Sequence, residues 1–156
     1  MKYMVEISTE QIKKLRDETG APVMDVRRAL KEAEGDAALA KEILKEKGLE
    51  KAAEKAERTT RQGLIETYVH ADGRIGAMVH LACETDFVAR TTEFKKLAKE
   101  LAMQVAAMNP ETTDELLSQE YIRDPGRTVN ELIAEVISKT GENIRVRKIA
   151  RFALGD

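Results

Sequence analysis

The chain has no tryptophan, one cysteine, two histidines and three prolines among 156 residues, and each shortage removes a class of explanation. A lone Cys83 excludes an internal disulfide framework and suits a reducing cytoplasm, which is the expected location. Three Phe and three Tyr leave any core to aliphatic side chains. No apolar run approaches the roughly 20 residues that cross a bilayer. The opening Met1-Lys2-Tyr3-Met4-Val5-Glu6 lacks the apolar segment of a signal peptide. An excess of either charge is also missing, since 26 Lys and Arg face 28 Asp and Glu for a net −2. Chains that work on nucleic acid usually carry a basic excess, so neither a nucleic-acid partner nor a membrane is expected. What is present in quantity is charge, at 35% of the chain, beside 42% hydrophobic residues. That combination supports a core under helices with solvated, ion-paired faces.

The first fifty residues read as three short helices. Ser8 with Gln11 forms a capping box, and Ile7 and Ile12 occupy the staple positions around it. Gly20 closes the first helix in the left-handed conformation, and Pro22 suits the first turn of the second. Val23, Val26, Ala29, Leu30 and Ala33 recur at helical spacing until Gly35. Asp36 caps a third helix carrying Leu39, Ile43 and Leu44, expected to stop at Gly48. Residues 51–61 have Ala and charge but almost no apolar stripe, and read as an exposed helical linker.

From Gly63 the period becomes two. Ile65, Thr67 and Val69 alternate with polar neighbours, and after Asp72-Gly73 the chain alternates again through Ile75, Ala77, Val79, Leu81 and Cys83. This is a hairpin pattern. A two-residue Asp72-Gly73 loop would pair Val69 with Gly76 and Ile65 with His80. A three-residue loop, Ala71-Asp72-Gly73, would instead pair Val69 with Ile75 and Ile65 with Val79, placing these apolar residues on one face. That register is predicted, with Gly73 left-handed. After Phe87 a long helix is expected, with Phe94, Leu97, Ala98, Leu101, Ala102, Val105 and Met108 as its stripe and Asn109-Pro110 as its end. Residues 111–127 read as mostly irregular, with a helical turn near Glu115–Leu117 and a tight turn at Pro125-Gly126. Thr128 with Glu131 repeats the capping box before a helix that Gly141 closes. The last strand places Ile144, Val146, Ala150, Phe152 and Leu154 on one face and Arg145, Arg147 and Arg151 on the other; Lys148 on the apolar side suggests a sheet edge. The fold class is α+β, with three N-terminal helices and then a small antiparallel sheet with helices on one face.

Little of this carries covalent chemistry. His80-Leu81-Ala82-Cys83-Glu84-Thr85-Asp86 offers several metal-ligand types, but strand alternation turns His80 and Cys83 apart and no second ligand cluster exists. No metal is expected. The same divergence argues against a Cys–His nucleophile, and no Gly-rich phosphate loop is present, so no cofactor is expected. What remains is Thr85-Asp86-Phe87 where strand gives way to helix. Two readings stay open: Thr85 or Asp86 caps the helix while Phe87 enters the core, or Phe87 is held outward as an aromatic anchor for a partner.

Three segments resemble the bacterial elongation factor Ts family of nucleotide-exchange factors. They are the run from Leu15-Arg16-Asp17-Glu18-Thr19-Gly20 to Leu30, the run Cys83-Glu84-Thr85-Asp86-Phe87-Val88-Ala89-Arg90, and Gly141-Glu142-Asn143-Ile144 with the alternating strand after it. The resemblance runs nearly end to end. It implies a ubiquitin-associated-like domain at residues 1–50, a helical linker at 51–61 and an exchange-factor core at 62–156. It further implies an exchange factor, not an enzyme, whose partner is the GTPase domain of elongation factor Tu. Thr85, Asp86, Phe87 and Val88 match the segment that enters that domain, and Arg16, Val23 and Met24 match the docking positions of the first domain. The chain departs from the family pattern at Pro22, at Val23 and at His80-Leu81-Ala82. Longer members carry two related core halves where this chain has one, so a homodimer is expected. Two rivals remain: a ubiquitin-associated-type adaptor without exchange activity, and an RNA-associated factor using Arg145, Arg147 and Arg151.

Overall fold

The structure is a computed structural model and describes residues 5–155. Met1–Met4, which include most of the opening read above for a signal segment, and Asp156 lie outside the described residues.

The chain opens with α1 (Thr9–Thr19), α2 (Val23–Glu32) and α3 (Ala37–Lys55). The expected capping box forms: Gln11 N–H donates to Ser8 Oγ at 3.2 Å and Ser8 N–H to Gln11 Oε1 at 2.9 Å. Gly20 closes α1 at φ 66°. Leu15, Val26, Ala29, Leu30, Ala33 and Ala40 are buried together, with Ile7 and Ile12 packed on them.

The third helix does not stop at Gly48. It continues to Lys55, because Glu, Leu, Lys and Ala on either side are strong helix formers and outweigh the roughly 1 kcal/mol that an interior glycine costs. Tertiary contact holds the extension. α3 lies along α7 (Val129–Thr140), with Lys45 Nζ 3.2 Å from Glu131 Oε2. Lys51 pairs with Asp25 of α2, and Ala52 packs against the second core cluster. The stretch read as an exposed linker is therefore half-buried helix to Lys55.

β1 (Gln62–His70), β2 (Ile75–Cys83) and β5 (Ile144–Ala153) form one antiparallel sheet in the order β1-β2-β5. The hairpin register differs from the expectation. Val69 stands opposite Gly76 and Ile65 opposite His80, across a turn at residues 71–74 closed by Gly73 N–H to His70 O at 2.8 Å. Gly73 is left-handed as expected, at φ 79°. The physical reason is that β1 is apolar on both faces. The core takes Leu64 and Tyr68, opposite Leu81 and Ala77, and leaves Ile65 and Val69 outside.

β5 also departs from simple alternation. Leu81 pairs with Val146 and His80 with Lys148, so Arg147 is an extra residue in a bulge. The bulge reverses the strand's phase. Ile144 and Val146 face the core as expected, but beyond it Ile149 takes over, while Ala150 and Phe152 are exposed on the other face. Lys148 does lie on an edge strand.

α4 (Asp86–Ala89) and α5 (Thr92–Met108) replace the single helix expected after Phe87, since Thr91 Oγ1 accepts from Phe94 N–H and starts the second. Phe94, Leu97, Leu101 and Val105 of α5 cover the sheet's inner face against Val79 and Leu81. Asn109 ends α5 left-handed. α6 (Thr113–Ser118) supplies the buried Leu116, and β3 (Glu120–Tyr121) pairs with β4 (Asp124–Thr128). The turn lies at Ile122-Arg123, not at Pro125-Gly126, which belong to β4. A two-strand ribbon is all edge and tolerates a residue without an N–H. Thr128 and Glu131 form the second capping box, and Gly141 closes α7 at φ 75°. The result is α+β, with antiparallel sheet and helices layered on one face.

Candidate functional site

The corner between β2 and α4 turns one side chain out while burying its neighbours. Thr85 is extended and caps α4, its Oγ1 accepting from Val88 N–H at 3.3 Å. Successive residues on a helix step by about 100°. With Val88 and Ala89 turned into the core at 6% and 8% exposure, Asp86 and Phe87 must face outward. Phe87 is 79% exposed. Of the two readings left open, the structure excludes the one in which Phe87 enters the core. Asp86 Oδ2 lies 3.1 Å from Arg90 NH2, both well exposed. Such a pair is weak and easily exchanged for a partner's charge.

The corner is anchored from below. Val88 supports it from within the core and does not face solvent. Cys83, one step before, is fully buried, and its thiol donates to Thr85 O at 3.1 Å. Burial first, and then the Glu142 carboxylate, push that thiol up to about 11. A thiol held protonated is a poor nucleophile and a poor ligand. His80 points to the other face of the sheet, opposite Ile65 and Lys148. Among the described residues, no group of three or more His, Cys, Asp or Glu gathers in a way that could hold a metal, and no helix among them is long and apolar enough to cross a membrane.

The other candidate residues sit around the N-terminal cluster. Val23 and Met24 open α2 at 41% and 56% exposure, and Arg16 is exposed near the end of α1. Their apolar neighbours Val26 and Leu30 are fully buried, so the exposed pair is not a continuation of the core stripe.

Two features went unread in the sequence. Glu142 and Glu84 cross-link the corner to the start of β5, a contact between two of the segments that carry the family resemblance. The outer face of the sheet carries Ile65, Val69, Met78 and Phe152 at 56%, 64%, 48% and 79% exposure. Its signal was the second apolar set in β1, which a period of two cannot assign to a face.

Comparison with known proteins shows the family. The family model described as elongation factor TS matches residues 84–156, from the corner through β5. A protein named elongation factor Ts from Caldanaerobacter subterraneus is 42% identical over 195 aligned residues, covering 96% of this chain and 98% of the relative. The protein of that name from Thermotoga maritima is 42% identical, covering 97% and 98%. That from Oleidesulfovibrio alaskensis is 39% identical, covering 97% and 100%. Similarity of this extent includes the N-terminal helices as well as the core, and the chain belongs to the elongation factor Ts family.

Proposed function

We propose that this chain releases GDP from elongation factor Tu by inserting Asp86 and Phe87 between helices of that partner's GTPase domain, which displaces the elements holding magnesium and phosphate. Membership of the family makes it a nucleotide-exchange factor for elongation factor Tu, and not an enzyme. No bond is made or broken and no cofactor of its own is needed. Linkage supplies the logic: a protein that weakens GDP binding is itself weakened by GDP to the same extent.

The observation that carries the wedge is Phe87, 79% exposed on a rigid corner between buried Cys83 and buried Val88. Packed neighbours fix the backbone that carries the ring, so only the side chain's own rotation is left to be lost on binding. Thr85 and Val88 set its direction, while Arg16, Val23 and Met24 dock residues 1–50 on the same GTPase domain. In this reading 51–61 joins that docking module to the exchange core at 62–156, and the protein acts in the cytoplasm. The aligned span of 195 residues exceeds this chain's 156, so relatives carry residues that it lacks. Residues 111–127 are the remnant of that insertion. The missing core half is supplied by a second copy, packed through the outer face of the sheet. Neither rival gains support: of the three arginines, Arg147 and Arg151 donate to the carbonyls of Thr60 and Ala106, which leaves only Arg145 exposed without such a bond and no array for RNA, and an adaptor limited to residues 1–50 would not need the Phe87 corner.

The test is release of fluorescent GDP from elongation factor Tu, with this chain and with Phe87→Ala. Acceleration that collapses in a folded variant supports the wedge. Acceleration untouched by the substitution moves the mechanism to the N-terminal helices.

A further inference from the structure

We propose that Glu142 is a positioning residue for the wedge, holding the Glu84-Thr85 corner so that Phe87 is presented in one attitude before any partner arrives. The proposal rests on the wedge reading above. Glu142 Oε1 accepts from the backbone N–H of Glu84 at 3.1 Å and of Thr85 at 2.9 Å. Its Oε2 accepts from Thr85 Oγ1 at 2.7 Å. One carboxylate from 58 residues away along the chain thus accepts three bonds from the corner, two from backbone N–H groups and one from a hydroxyl.

The hydroxyl is the link to the wedge. Thr85 Oγ1 donates to Glu142 and accepts from Val88 N–H at 3.3 Å. A hydroxyl has one proton, so spending it on the carboxylate orients its lone pairs toward the first turn of α4. Glu142 therefore fixes the cap, the cap fixes the turn, and the turn fixes where Phe87 points. A charged acceptor makes these bonds stronger than neutral ones.

The clamp is reciprocal. Glu84 Oε1 accepts from Asn143 N–H at 2.7 Å and lies 3.5 Å from Arg58 NH1. Asn143, 2% exposed, donates its Nδ2 to the carbonyls of Ala56 at 3.4 Å and Arg58 at 2.9 Å. Two neighbouring carboxylates would ordinarily repel. Here each is offset by donors from the opposite segment, which is a reason for both to be held in place. The corner is thus tied both to the start of β5 and to the segment leaving α3.

The experiment follows fluorescent GDP release from elongation factor Tu at a range of concentrations of the full chain. The variants are Glu142→Ala, Glu142→Gln, Phe87→Ala and the double Glu142→Ala/Phe87→Ala. Loss of the clamp leaves Phe87 present but unordered, so Glu142→Ala should raise the half-saturating concentration about tenfold while keeping the maximal rate. Phe87→Ala should lower the maximal rate instead. The double variant should match Phe87→Ala within about twofold, because the clamp has nothing left to aim. Glu142→Gln, which keeps an amide oxygen for the two N–H groups, should recover part of the loss. Amide hydrogen exchange on the free chain is the independent readout. Glu142→Ala should speed exchange at Glu84, Thr85 and Val88 and leave Leu101 and Val105 protected. Unchanged protection at the corner overturns the proposal, as does an equal rise in half-saturating concentration with and without Phe87. A Phe87→Ala chain that exchanges like the parent overturns the wedge reading instead, whatever Glu142→Ala does to the corner amides.

Discussion

Gln104 and Ile122 are joined by a hydrogen bond of 3.0 Å from the backbone N–H of Ile122 to Gln104 Oε1. The amide's other end donates to Glu120 O at 3.0 Å and to Gln119 Oε1 at 3.2 Å. A fully buried side chain on α5 thus reads the backbone of β3 and the turn after it. Gln104→Leu keeps the volume and removes every bond. It is expected to cost about 2 kcal/mol in denaturant unfolding, with amide exchange rising first at residues 119–122.

Gly63 lies tight against the backbone of β2. A Cβ there would stand 2.0 Å from Leu81 O, and its φ of 141° is one that L-residues rarely adopt. Gly63→Ala must displace β1 from β2. The expected loss is about 3 kcal/mol, seen as a fall of about 9 °C in Tm.

Cys83 predicts a pH dependence. Its folded pKa of about 11 lies above the ordinary value of 9.0, so between these values the unfolded chain releases a proton that the folded chain keeps. The sign follows from linkage: this contribution is fully present below pH 9.0 and is lost as pH rises to about 11. Cys83→Ser or Cys83→Ala should flatten the decline in denaturant titrations across that window. Alkylation of the parent by iodoacetamide should stay slow at pH 8.5 until denaturant is added, following burial and thiol protonation together.

The outer sheet face gives the oligomer its test. Ile65, Val69, Met78 and Phe152 are too many exposed apolar side chains on one sheet to be scattered singly. Sedimentation of the parent at micromolar concentration should give a dimer. Val69→Asp with Phe152→Asp should give a folded monomer, because neither residue supports the core. A parent that sediments as a monomer removes the proposed second copy.

Local signals were legible where the chemistry is local. Ser8 with Gln11, Thr128 with Glu131, and the left-handed Gly20 and Gly141 each involve atoms a few residues apart, and all four formed. Errors arose where two local patterns were both satisfied and only long-range packing chose between them. Leu64 with Tyr68 and Ile65 with Val69 are equally good strand faces, and α5 decided which was inside. The bulge at Arg147 leaves no mark in composition, yet it exchanges the faces of everything after it. Gly48 resembled a stop until contact with α7 made the extension worth keeping. At the candidate site, Phe87 was visible from its motif. Glu142 was not, because its partners lie 57 and 58 residues away.

The continuity of α3 makes it a splint. Its 19 residues carry Ala40 in one buried cluster and Ala52 against the other, a span of about 28 Å for the whole helix at roughly 1.5 Å per residue. Adding a single residue between Ala40 and Ala52 would leave both clusters chemically intact, yet turn one about 100° relative to the other. A splint set one notch off would break the Lys45–Glu131 and Lys51–Asp25 pairs that now fasten it on either side.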